Sequence, residues 1–158
     1  MGLTLALTVL LTLGPVGAVG MAALSQGLRE EARDRAGAVL LTLSAPTALT
    51  LADYAMDRLD SYLAEAARPT TQDVMVRVLV VLNTEGHIVA ASTAALQPPA
   101  VAGLSVSDAS EFLTRAASSR HPIWQRIEPT DDHALLLVSM PAVSGLRWGT
   151  LVGVFDLF

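Results

Sequence analysis

The chain has no cysteine and no lysine, and no charged residue precedes Arg29. Without thiols, disulfide frameworks, thiolate metal sites and cysteine nucleophiles are excluded. All ten basic residues are arginine, which with abundant Ala and Leu points to a GC-rich bacterial coding sequence. The formal net charge is −5, so a nucleic-acid partner has no electrostatic support. Two Trp and two Tyr are too few to support an aromatic box around a quaternary amine. There is no nucleophile elbow and no glycine-rich phosphate loop. His87, His121 and His133 share no metal-ligand spacing, and Asp131-Asp132-His133 sits where a turn is expected. No enzymatic activity, metal or other cofactor is expected from these residues.

What the chain has in abundance is apolar surface. It is 158 residues long, 52% hydrophobic, with a mean hydropathy of +0.50, too apolar for disorder and too short for more than one globular unit plus an anchor. Residues 1–24 are apolar or small, and a bilayer-spanning helix needs about 20 such residues. Gly14-Pro15 within this stretch is tolerated where neighbouring helices satisfy the backbone. A cleaved secretory signal would have a basic start and a shorter apolar stretch, although Ala18-Val19-Gly20 resembles a cleavage site. A retained membrane helix over 1–24 is therefore expected. Gly14, Ala18 and Ala22 recur every four residues, a small-residue face that suits helix pairing. Arg29, Arg33 and Arg35 follow the span, and the positive-inside rule taken alone would put them in the cytoplasm.

From Ser25 onward Leu28, Ala32, Ala36, Val39 and Leu43 keep helical spacing, so the membrane helix is expected to continue as a stalk. Small Ala32 and Ala36 on that stalk point to a homodimer. Ser44-Ala45-Pro46 is expected to interrupt it, because proline removes a backbone donor and restricts its predecessor. A second amphipathic run, Leu51, Ala55, Leu59, Tyr62 and Ala66, follows and ends near Arg68-Pro69; Tyr54 and Tyr62 read as core or dimer contacts. The period then changes. Residues 74–82 are β-branched and apolar on both faces except at Arg77, and Asn83-Thr84-Glu85-Gly86 turns the chain into a second strand over 87–92. After a loop over 94–103, Ser107 or Asp108 caps a short helix carrying Phe112, Leu113 and Ala116. Strands are expected over 122–128, 133–140 and 147–157, the last two joined by Ala142-Val143-Ser144-Gly145.

Two stretches carry a family likeness. Val78-Leu79-Val80-Val81-Leu82-Asn83-Thr84-Glu85-Gly86-His87-Ile88-Val89-Ala90-Ala91-Ser92 is similar to a first hairpin. Val138-Ser139-Met140-Pro141, followed by Gly145-Leu146-Arg147-Trp148-Gly149-Thr150-Leu151-Val152-Gly153-Val154-Phe155-Asp156, is similar to a last pair of strands. With the element order, these resemble the extracytoplasmic PAS-like sensor domains, of the single Cache type, of bacterial transmembrane receptors. The resemblance implies an α+β fold: an N-terminal membrane helix (1–24), stalk and second helix (25–68), and a PAS-like five-stranded antiparallel sheet (69–158). It implies a ligand-sensing domain on the outer side of the inner membrane, in the periplasm or outside the cell. The output would be a histidine kinase, nucleotide cyclase, cyclic-dinucleotide or chemotaxis module reached through a second span. The chain stops at Phe158, so it is expected to be a fragment of such a receptor.

Alternation puts Val74, Val76, Val78, Val80 and Leu82 on one face, suited to the long helix, and Arg77 on the other. On that second face a pocket is expected beneath residues 93–121, where Arg77 would hold the carboxylate of a small organic anion through paired hydrogen bonds, unless it is exposed or already ion-paired. Trp124 and Arg126 share one face of the third strand, a flat apolar platform beside a cation, with core packing the competing role for the Trp. The candidate ligand residues are thus Arg77, Trp124 and Arg126. The rival to a sensor is a PAS-like module whose pocket is filled by its own side chains and which serves only dimerisation.

Overall fold

The computed structural model describes residues 26–27, 30–53, 56–68, 76–92, 106–130 and 133–157. The expected membrane helix, the loop over 94–103, Tyr54, Pro69 and Asp131-Asp132 lie outside these residues. The chain divides into residues 1–32 and a compact unit of residues 33–158, which holds the sheet and the helix surfaces packed on it. In order it runs α1 (Glu30–Ala52), α2 (Met56–Ala66), β1 (Val76–Leu82), β2 (Ile88–Ala91), α3 (Val106–Ser118), β3 (Ile123–Thr130), β4 (His133–Ser144) and β5 (Leu146–Leu157). The fold is α+β, with one antiparallel sheet ordered β2-β1-β5-β4-β3.

The sheet is apolar on both faces because its inner strands are apolar on both faces. In β1, Val78 to Leu82 are all buried, a pattern expected where helices cover both sides. Leu79, Val81, Val138, Leu151 and Phe155 pack with Ala36, Leu40, Ala48 and Leu51 of α1 and Leu59 and Leu63 of α2. Val78, Val80, Leu82, Leu137, Val152 and Val154 pack with Ala109, Phe112 and Ala116 of α3. The β1–β2 hairpin forms as expected. Gly86 takes φ +86°, and the Asn83 side-chain oxygen accepts from the amides of Glu85 at 3.0 Å and His87 at 2.9 Å. The β4–β5 turn is tighter than expected, with Gly145 alone between the strands at φ +74°. Pro141 is accommodated in β4 because the β3 ladder ends at Ile123 opposite Ser139, so no β3 residue pairs with it.

Three expectations need correcting. The first is the break at Ser44-Ala45-Pro46: α1 runs through it unbroken to Ala52. Pro46 lies on the exposed side, where the carbonyl of Thr42 loses its intrahelical donor facing water, while Thr47, Ala48 and Leu51 beyond it are buried. Tertiary burial therefore outweighs the local penalty, and Leu51 belongs to α1 rather than to the second run. The second is the stalk: over residues 36–51 α1 is not a protruding stalk but lies on the sheet, with Ala36 completely buried. The third is the facing of β1. Val78, Val80 and Leu82 face α3, and it is Leu79 and Val81 that face the long helix. Alternation separates two faces but does not say which helix covers which when both are apolar. A bulge between Val76 and Val78 also lets Val76 pack on the α1 side, out of phase with Val78.

By length and composition alone α1 is apolar enough to cross a membrane. Its inward face, however, is committed to the sheet, which is the pattern of a core helix.

Candidate functional site

The expected pocket position lies on the α3 face. Spacing of three and four brings Ala109, Phe112, Leu113 and Ala116 of α3 onto Val80, Leu137, Val152 and Val154. The small alanines let the helix approach closely, and the fully buried Phe112 ring fills the space between. The crevice left there is about 10 Å³, lined by apolar side chains alone. That is room for about one water molecule, against the roughly 300–1,000 Å³ of a small-molecule site. Among the described residues, the layer beneath α3 is therefore filled by the protein's own side chains.

Polar groups gather at the two margins of this layer. At one margin Arg147, from the start of β5, reaches the C-terminal end of α3. Its Nη2 donates to the carbonyls of Ala117 at 2.7 Å and Ala116 at 3.3 Å, and to Thr150 Oγ1 at 2.6 Å. The last carbonyls of a helix have no intrahelical donors and carry partial negative charge, so a guanidinium there both satisfies and neutralises them. Arg115 Nη2 on the same helix donates to Gln125 Oε1 of β3, a second tie to the sheet. At the other margin Arg77, at the β1 bulge, is ion-paired with Asp156 of β5, Nε to Oδ1 at 2.6 Å. Asp156 is opposite Leu135 and shares its face, the α3 face.

Trp124 and Arg126 fall on the other side of the sheet. Their neighbours Ile123 and Ile127 pack with the α3 cluster, so the alternate residues face α1. The guanidinium of Arg33, on α1, stacks 3.7 Å from the centre of the Trp124 ring, which remains 39% exposed. Arg126 Nη2 is ion-paired with Glu128 at 2.5 Å. The structure thus separates the three candidate residues. Arg77 stands between central strands on the α3 side, whereas Trp124 and Arg126 stand on edge strand β3 on the α1 side. Trp124 and Arg126 therefore share one face of their strand, on the opposite side of the sheet from Arg77. Each candidate also has a partner within the chain.

Arg33 and Arg147 are two interacting cations that sequence reasoning missed. Arg33 read as a topology signal, and Arg147 read as a strand residue beside Trp148-Gly149. Nothing local marks either, because their partners are 91 and about 30 residues away. Two hydroxyls, Thr47 Oγ1 on the α1 side and Ser139 Oγ on the α3 side, are buried without a hydrogen-bond partner. Burial raises the Tyr62 phenol above its ordinary pKa. His87 Nδ1 is 3.3 Å from Glu85 at an exposed turn, and no three His, Asp or Glu among the described residues come together as a metal site.

Gly149 and Gly153 of β5 lie under α1, where a Cβ on Gly149 would come 3.0 Å from Leu51 and one on Gly153 would come 3.1 Å from Leu40. Leu40 lies over Gly153 and Leu51 over Gly149, so α1 crosses the central strand against its chain direction. No protein-family model matches the chain, and no curated protein matches it.

Proposed function

We propose that this chain is the extracytoplasmic sensor domain of a bacterial membrane signal-transduction receptor, PAS-like and of the single Cache type. Residues 1–24 hold it in the inner membrane, and it relays ligand binding to a signalling output. The observation that supports this reading is the direct packing of α1 on β5. α1 follows the apolar segment and meets β5, the central strand, at two glycines. A displacement of β5 is then felt by α1 without an intermediary, which is what relay from a sheet to membrane segments requires. A ligand biases such an arrangement only through its different affinity for two states.

The ligand class is a small organic anion, with Arg77 as its anchor. The guanidinium already holds a carboxylate, that of Asp156, so an incoming carboxylate would exchange with a chemically equivalent group on β5 itself. A thermal-shift screen of organic acids and amino acids on the full-length chain in detergent tests this. Stabilisation by a carboxylate, weakened about ten-fold in Arg77→Lys because lysine lacks the planar fork, is the expected result. Active alkaline phosphatase fused after Phe158 in a Gram-negative host is the expected result for the outward orientation.

A second reading, a ligand-free dimerisation module, draws on the Phe112-filled layer beneath α3. It becomes the better account if no compound in the screen stabilises the protein.

A further inference from the structure

We propose that Asp156 is a ligand-binding residue beside Arg77, and that the two together select a free α-amino acid over an acid without an amino group. The proposal rests on the reading of Arg77 as a carboxylate anchor and names the ligand class of that site.

Arg77 has no pairing residue on β5, because the ladder steps from Val76 opposite Phe155 to Val78 opposite Val154. A bulge of this kind re-aims the side chain of its extra residue, and here the guanidinium turns to Asp156, Nε to Oδ1 at 2.6 Å. The two groups are unequal. Asp156 has a short side chain on the central strand, only 15% exposed, whereas the long side chain of Arg77 is 37% exposed. Arg77 can swing outward, and Asp156 cannot follow it. Among the described residues, Arg77 is the one side chain paired with Asp156.

That inequality decides which ligand can exchange into the pair. A simple carboxylate that takes Arg77 strands Asp156, charged and mostly out of water, without its cation. Removing one partner of a sheltered ion pair is costly, and the incoming carboxylate faces the stranded one as a like charge. A simple amine that takes Asp156 meets the displaced guanidinium as a like charge in turn. An α-amino acid avoids both penalties. Its carboxylate replaces Asp156 on Arg77, its ammonium replaces Arg77 on Asp156, and both protein charges stay paired through charged hydrogen bonds. Because the two protein groups start in direct contact, the ligand's charges must also be adjacent, as they are when both groups sit on one carbon.

Thermal-shift titrations of the full-length chain in detergent compare L-α-amino acids, each beside the acid that lacks the amino group, the amine that lacks the carboxylate and the N-acetyl derivative. L-Alanine with propionate, ethylamine and N-acetyl-L-alanine is the simplest set. The expected result is stabilisation by at least one amino acid, with an affinity about ten-fold or more above all three of its counterparts. Asp156→Asn keeps the shape of the side chain and removes its charge. In that variant the preference for the amino acid should collapse, with the deaminated acid binding more tightly than it does to the unaltered chain. Equal stabilisation by amino acids and deaminated acids overturns the proposal and leaves Arg77 a plain carboxylate anchor. A preference that survives in folded Asp156→Asn assigns the ammonium to another group and overturns it as well. If that variant does not fold, the N-acetyl comparison on the unaltered chain decides by itself. No stabilisation by any acid or amino acid overturns the Arg77 reading and this proposal with it.

Discussion

The two faces of the sheet are built from similar strand residues but are covered in different ways. On the α3 side a single helix is sealed down by Phe112 and tied at its margins by Arg147 and Arg115, leaving about 10 Å³ unfilled. On the α1 side a longer helix crosses the central strand at two glycines, carries a proline on its outer face and keeps large apolar side chains exposed. The first arrangement resists change because its directional hydrogen bonds and its core must break together. The second rests on non-directional packing of Leu40 and Leu51 over the two glycines, among the side chains of Leu79, Val81, Val138, Leu151 and Phe155. Hydrogen-bonded ties at the margins of α3 and close apolar packing under α1 are therefore divided between the two sides of one sheet.

The largest expected effect tests the sealed side. Phe112→Ala removes a fully buried ring and should destabilise the domain by about 3–5 kcal/mol in chemical denaturation. If the loss is under about 1 kcal/mol, α3 is not sealed by packing and the contrast between the faces fails. Next comes Gly149→Ala on the α1 side. A Cβ there runs into the Leu82 carbonyl oxygen of β1 as well as Leu51, and a backbone atom cannot swing aside. A loss of about 3 kcal/mol is expected, at the upper end for overpacking, with hydrogen-exchange protection falling first at the β1–β5 ladder. Protection lost first in α3 would mean that the two sides are not independent. The smallest effect sharpens the picture of where α1 is held. A double-mutant cycle on Arg33→Ala and Trp124→Ala should give a coupling of about 0.5–1 kcal/mol for the exposed cation–π stack. A coupling of zero would leave only apolar packing to hold α1 on the sheet.

Much of the sheet was legible in the residues themselves. The alternation and β-branching of β1, the Asn83-to-Gly86 turn and the position of all five strands follow from short-range preferences. The unbroken α1 was not legible, because Pro46 is a strong local stop signal and what overrides it, the sheet under Ala48 and Leu51, is supplied by residues far along the chain. Nor was the candidate site. Arg77, Trp124 and Arg126 look alike as cations and aromatics on strands. Whether they meet depends on the β1 bulge and on which face each strand turns to which helix.

By itself, then, the sequence determined the chemical class of each element: an uncharged first segment, an apolar helix, strands buried on both faces and turns at Asn83 and Gly145. It did so because propensity, periodicity and solvent transfer act over a few residues at a time. Tertiary structure alone decided that Val78, Val80 and Leu82 face α3, that Arg33 stacks on Trp124, that Arg147 holds the end of α3, and that Asp156 occupies Arg77. Each of these joins residues about 30 to 90 positions apart or selects between two equally apolar faces, and no local signal distinguishes such alternatives until the layers have packed.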